Sequence, residues 1–217
     1  MKVIQNCTST MFRKFFMRHG WKSLLFTSFL LGMEQLQAQP LQDKGTQQSD
    51  CNGQQILISK VCAGDGLEPE EQRLYNLINE YRADNSLPPI PLSPSLNLVA
   101  NRHVLDLDKN IGALTHGWSN CPYSSSNRST YSCMWNAPQR LGTAYEGYGY
   151  ENAYSVSSGR VTAKSALRSW KGSSAHNAVI LNQGIWQDNK WGALGIGIYQ
   201  GYAVLWFGEE ADPALMP

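Results

Sequence analysis

The chain is poor in charge and has none of the usual catalytic signatures. Only 16% of its 217 residues are Asp, Glu, Lys or Arg, and the formal net charge is +1. That excess sits in the first 38 residues, which hold five Lys/Arg against one Asp/Glu; the rest carries 13 basic and 16 acidic residues, a net of −3. A nucleic-acid or anionic-membrane binder needs a basic face, so both classes are set aside. No apolar run approaches the about 20 residues that cross a bilayer. There is no G-x-S-x-G, no H-E-x-x-H, no phosphate-cradling glycine loop and no C-x-x-C. Aromatics at 11% and aperiodic glycine exclude wholesale disorder and collagen. The length suits one good-sized domain.

The amino terminus reads as an export signal. Arg13, Lys14, Arg18 and Lys22 precede an apolar run from Leu24 to Met33, and Leu36-Gln37-Ala38 supplies a cleavage site before Gln39. Residues 1–38 are therefore expected to be a signal peptide, and the mature protein to be secreted, either to the periplasm or outside the cell. Four cysteines follow: Cys51, Cys62, Cys121 and Cys133. An even number in an exported chain reads as disulfides. Of the three pairings, Cys51–Cys62 with Cys121–Cys133 is favoured, since each closes a short loop in a segment poor in regular structure. Residues 39–67, rich in Gln, Asp and Gly, read as a polar tail or linker with Cys51–Cys62 as a clip. The domain proper spans 68–210, with a carboxy-terminal tail at 211–217.

Periodicity predicts a helix over 69–85, with Leu74, Leu77, Ile78 and Tyr81 on one face. A second helix over 94–109 has Ser93 as N-cap, Pro94 at its first position and a stripe of Leu96, Val99, Ala100, His103, Val104 and Leu107. Residues 112–147 form a long loop region. Tyr148 to Val156 alternates as a strand, and helices follow near 160–171 and 174–182. The chain closes in a hairpin turning at Gln200-Gly201, with Leu194, Ile196 and Ile198 alternating in its first strand. Glycines around residue 195 leave one strand face bare, which lets another backbone approach closely. The fold class is α+β, with helix layers over a small antiparallel sheet.

Three histidines follow the signal segment: His103, His116 and His176. His103 lies on the apolar stripe and is assigned to structure. His116 sits in Leu114-Thr115-His116-Gly117-Trp118, Glu151 in Tyr150-Glu151-Asn152-Ala153, and His176 in Trp170-Lys171-Gly172-Ser173-Ser174-Ala175-His176-Asn177. Their spacing carries no local metal signature.

In chain order these segments resemble the CAP superfamily of cysteine-rich secretory, antigen 5 and pathogenesis-related proteins. Glu71 to Leu87, with Asn76, Tyr81 and Arg82, resembles the family's opening helix, and Ala100 to Asp106 its second helix. Leu114-Thr115-His116 resembles the first signature histidine. Tyr150-Glu151-Asn152-Ala153 resembles the G-E-N segment with Tyr in place of Gly. Trp170 to Leu181 resembles a bacterial W-x-x-S-x-x-H-x-x-x-I-L form, and Ala193 to Phe207 the closing hairpin. The resemblance covers about residues 68–210 and implies an α-β-α sandwich with a three-stranded antiparallel sheet between helical layers. It also implies a central cleft of two His and two Glu able to hold a divalent ion. His116, Glu151 and His176 match three of these four; Ser173 and Ser174 stand where the second Glu is expected.

Two imidazoles and a carboxylate suit Zn²⁺ with water in the open position. The same trio could instead be a hydrogen-bonded network pinning loop, strand and helix. Trp135, Tyr145 and Tyr148 are expected to form the movable aromatic wall of an apolar ligand cleft. No residue is assigned a catalytic role. The function expected is a secreted binding module for a lipid or sterol, with two alternatives: a metal-assisted hydrolase using His116, Glu151 and His176, or a rigid extracellular module that binds a protein partner.

Overall fold

A computed structural model describes residues 50–215. The expected signal peptide and residues 39–49 lie outside the described residues. In chain order the elements are α1 (Gln55–Ile58), α2 (Pro69–Asp84), α3 (Pro94–Asp106), a π turn (Leu107–Ile111), α4 (Ser132–Trp135), α5 (Ala137–Arg140), β1 (Tyr150–Ser155), α6 (Ala163–Gly172), α7 (Ser174–Ile180), β2 (Ala193–Tyr199) and β3 (Tyr202–Gly208). Among the described residues no helix is long and apolar enough to cross a membrane.

Local chemistry explains the helix starts. Glu71 closes a capping box on α2 by accepting the Glu68 backbone N–H at 2.9 Å, and its other oxygen accepts the Ile198 N–H, tying the helix to β2. Burial pushes the Glu71 carboxyl up to about 8, against the pull of those hydrogen bonds. Ser93 caps α3 by accepting the Leu96 N–H at 2.9 Å. Thr162 and Ser165 form a capping box on α6. Past the last turn of α3 the chain widens into the π turn and stops at Gly112, whose φ of 71° is left-handed.

The three strands form one antiparallel sheet in the order β1-β3-β2. Tyr199 pairs with Tyr202 across the turn, and Gln200 takes a left-handed φ of 48°. Alternation along β3 divides the core. Val204 and Trp206 face α3, whereas Ala203, Leu205 and Phe207 face α2, α6 and α7. The α-β-α sandwich is thereby established. Leu74, Ile78, Leu96, Val99 and Ile180 are fully buried, and burying each such side chain contributes about 1.5–3 kcal/mol.

The bare face of β2 is covered by helix backbone. A Cβ on Gly195 would stand 2.1 Å from the Leu96 carbonyl oxygen, and one on Gly197 would stand 2.4 Å from that of Ala100. Helix α3 therefore lies directly on the sheet, and this contact fixes the height of every side chain it carries.

Two boundaries differ from the sequence reading. The described part of the supposed tail, residues 50–67, is built into the domain, with Cys51, Ile56, Leu57 and Cys62 buried. Arg102, itself buried, donates to the carbonyls of Ile56 (2.6 Å) and Ser59 (3.0 Å) and forms a two-point ion pair with Asp65. Composition reads as a linker here because the anchoring comes from a guanidinium far along the chain. At the other end, Asp212 is buried and accepts from Ser93 Oγ, Ser95 N–H and Ser95 Oγ, so it belongs to the α3 cap rather than to a free tail. Cys51–Cys62 and Cys121–Cys133 are the disulfides. In the chain-entropy account each short loop contributes about 3 kcal/mol.

Candidate functional site

Strand β1 is an edge strand, and Glu151 opposite Trp206 points to the α3 side of the sheet. Its carboxylate is buried and taken at both oxygens: Oε1 lies 2.5 Å from His103 Nδ1 and Oε2 lies 2.7 Å from His116 Nδ1. The second ring nitrogen of His103 is 2.9 Å from the Gly117 carbonyl. Both partners of His103 are acceptors, so both its nitrogens donate and the ring is an imidazolium. Burial alone would lower the His103 pKa, but Glu151 overrides it and raises the ring above its ordinary value, helped by the Gly117 carbonyl. Burial likewise would raise the Glu151 carboxyl; His103 and His116 instead bring it down to about 2.

Two indoles enclose this pair. The Trp118 ring tilts over His103 at 4.5 Å between centroids, and Trp206 meets it edge-on at 5.9 Å. The Trp118 face favours a cation beneath it. The loop carrying Gly117 and Trp118 is held by mutual backbone hydrogen bonds between Trp118 and Cys121, and Cys121 is bonded to Cys133. The later disulfide therefore braces the residues around the ion pair.

His176 lies on the margin. Its Nδ1 is 2.8 Å from Ser173 Oγ, and its carbonyl accepts from the Asn152 side chain at 3.0 Å. Burial lowers the His176 pKa, and nearby His116 lowers it further. The fold thus brings His116 and Glu151 into hydrogen bonding and sets His176 beside them with Ser173 as its own partner. His103, assigned from sequence to structure, is the second imidazole on the carboxylate. The only signal for it was its place on the buried stripe of α3.

The donor set does not fit the expected three-ligand metal site. Glu151 has both oxygens bonded to imidazoles and so does not complete the three-ligand set in this arrangement, whereas the Nδ1 contacts of His116 and His176 leave Nε2 as the nitrogen each would offer a metal. Among the described residues no group of three or more His, Cys, Asp or Glu is arranged to hold a metal ion.

Of the expected aromatic wall, Tyr145 is misplaced. It is buried, and its hydroxyl donates to Glu210 Oε2 at 3.0 Å and accepts the Glu210 N–H at 3.1 Å. It packs over Gly208, where a Cβ would stand 2.0 Å from that hydroxyl. Trp135 and Tyr148 do reach the surface, in contact with each other, and Tyr148 is 55% exposed.

The sequence profile of the Cysteine-rich secretory protein (CAP) family matches residues 75–201. No curated protein matches the chain. Among solved structures, an extracellular protein containing an SCP domain from Bacillus anthracis str. Ames aligns with a TM-score of 0.50 at 19% identity, over 67% of this chain and 45% of that one. An outer surface protein from Borrelia burgdorferi aligns with a TM-score of 0.47 at 15% identity, over 67% of this chain and 96% of that one. A cysteine-rich secretory protein from Staphylococcus aureus subsp. aureus Mu50 aligns with a TM-score of 0.42 at 19% identity, over 67% of this chain and 41% of that one. The first of these supports the fold alone, and the chain spans less than half of that protein's length.

Proposed function

Since the chain belongs to the CAP family of cysteine-rich secretory proteins, we propose that it is an exported, non-catalytic binding module in which the His103–Glu151–His116 network is a rigid support for a ligand surface. The observation that carries this reading is the buried pairing of Glu151 with two imidazoles. A general base must reach the proton it takes, and this carboxylate is buried, hydrogen-bonded at each oxygen to an imidazole and paired with the His103 imidazolium. The carboxyl is also held near 2, far below the range of an acid–base catalyst at neutral pH. His116, 31% exposed at its side chain, is the point where the buried network meets the surface.

Around His116 the surface is aromatic. Tyr123 meets the His116 ring edge-on at 5.2 Å, and from there a row of rings runs out to Tyr148. The lipid or sterol ligand expected from sequence relied on Tyr145 as a moving wall. With Tyr145 fixed in the core, what remains for a ligand is this open row.

The reading is tested by assaying peptide and ester hydrolysis with wild type, Glu151→Gln and His176→Ala, with and without chelator. Turnover that is unaffected by any of these is not catalysis at this site, and none is expected above background. Chelator-sensitive hydrolysis lost in His176→Ala would establish the metal-assisted hydrolase instead. Export is tested by sequencing the amino terminus of protein recovered outside the cytoplasm, which should begin at Gln39.

A further inference from the structure

The geometry points to a linear oligosaccharide as the ligand of the aromatic row, a proposal that rests on the binding-module reading and specifies its ligand. Four rings lie one after another. Tyr123 stacks on Tyr131 at 5.2 Å and 22°, Tyr131 meets Trp135 edge-on at 5.4 Å, and Trp135 tilts against Tyr148 at 6.0 Å. Tyr148 is exposed and the other three are half-buried. Each ring touches the next in the series, and contact carried from ring to ring suits a chain of repeating units.

A pyranose has an apolar face of C–H bonds and a rim of hydroxyls. Aromatic faces match the first; neutral donors and acceptors match the second. The segment joining Tyr123 to Tyr131 supplies exposed Ser125, Ser126 and Asn127. A lipid tail needs enclosed apolar volume. Five cavities of 260 to 560 Å³ on the described surface are lined by residues outside the row, save one that includes Tyr123.

Part of the row, the Tyr131 ring and the Trp135 backbone, is also held before any ligand arrives, which reduces the ordering cost of binding. The Tyr131 hydroxyl donates to the Ser125 carbonyl at 2.6 Å, and the Trp135 carbonyl accepts the Gly149 N–H at 2.9 Å. The Cys121–Cys133 disulfide ties the short helix carrying Trp135 to the loop before Tyr123.

The test is calorimetric titration of the disulfide-bonded protein with cellohexaose and with chitohexaose, alongside phosphatidylcholine vesicles containing a fluorescent sterol. Saturable binding of at least one hexaose is expected. Tyr148→Ala should weaken it about tenfold, while Tyr148→Phe, which keeps the ring, should bind as wild type does. Failure of both hexaoses to bind, or equal binding by Tyr148→Ala, overturns the proposal. If only the sterol vesicles bind, and Tyr148→Ala abolishes that, the saccharide is wrong and the binding module stands. If no probe binds, both fail.

Discussion

Removing the Glu151 charge strands a buried cation, and the cost can be worked out from the carboxylate end of the pair. The carboxyl falls from its ordinary 4.5 to about 2 on folding, worth about 3 kcal/mol of stability at neutral pH. Because the folded value is depressed, this contribution is present above the unfolded value and is lost as pH falls through about 2. His103 works in the opposite direction. Its folded value is raised, so its contribution is complete below the unfolded value and is lost as pH rises through the folded one. The pair's own contribution should therefore be greatest between about pH 4.5 and 6.5 and decline on both sides, superimposed on Glu71, whose raised value of about 8 removes stability as pH rises from about 4.5. Glu151→Ala leaves the His103 imidazolium unpaired in the core and should cost about 3–5 kcal/mol, lowering Tm on the order of 10 °C.

Glu151→Gln separates charge from shape. Its amide oxygen can accept from His116 Nδ1 while its NH₂ donates to a neutral His103 Nδ1, so every partner stays satisfied. We expect it to cost about 1–2 kcal/mol, as for one charged hydrogen bond replaced by a neutral one, and to flatten the pH dependence. Chemical denaturation of wild type and both variants across the pH range, read by tryptophan fluorescence, checks this. Parallel pH profiles for wild type and Glu151→Gln, or a Glu151→Ala cost below about 1 kcal/mol, would refute the ion-pair reading.

The close contact between helix and sheet gives a second prediction. Gly195→Ala forces a Cβ into the Leu96 carbonyl and should abolish folding or cost several kcal/mol, whereas Gly172→Ala, with open space around it in α6, should be neutral or stabilising by up to about 1 kcal/mol; thermal melts compare them. Arg102→Met should free the segment bearing Ile56 and Leu57, seen as loss of amide-exchange protection there, and Arg102→Lys should not restore it because one ammonium cannot reach Ile56, Ser59 and Asp65 together. Tyr145→Phe removes the hydroxyl that bonds Glu210 and should cost about 1 kcal/mol without altering binding at Tyr148, measured by melts and titration in parallel.

Much of the fold is legible because its signals are local. The stripes of α2 and α3, the Ser93-Pro94 start and the alternation of Leu194, Ile196 and Ile198 each need only a few neighbouring residues, and the structure contains each element. The glycines of β2 likewise imply a close approach before its partner is known. The unread parts depend on distant chain. Ile56 and Leu57 stand in a Gln-rich setting and are buried against α3, with Arg102 holding the carbonyls around them and the Cys51–Cys62 disulfide closing the segment. Tyr145 resembles a loop aromatic until Gly208 is seen to leave room for it. His103 lies 48 residues from Glu151, and their meeting requires both the register of β1 on β3 and the seating of α3 on β2. By contrast the partner of His176 sits in its own motif, three residues earlier at Ser173.

That serine bears on whether the site takes up a dication. Affinity for Zn²⁺ grows with anionic and neutral donors that are free to turn toward the ion. Here the one carboxylate is already neutralised by the His103 imidazolium, and the position where the family resemblance expects a second carboxylate holds a neutral hydroxyl. A zinc ion beside His116 and His176 would face no uncompensated negative charge unless His103 first gave up its proton, and that proton is held by both Glu151 and the Gly117 carbonyl. Protein purified without a metal column should therefore contain well under one zinc per chain, and His116→Ala should lower Tm without changing the metal content. One zinc per chain in wild type, lost in His116→Ala, would show that the imidazoles bind the ion without an uncompensated carboxylate beside it and would refute the charge-compensation reading.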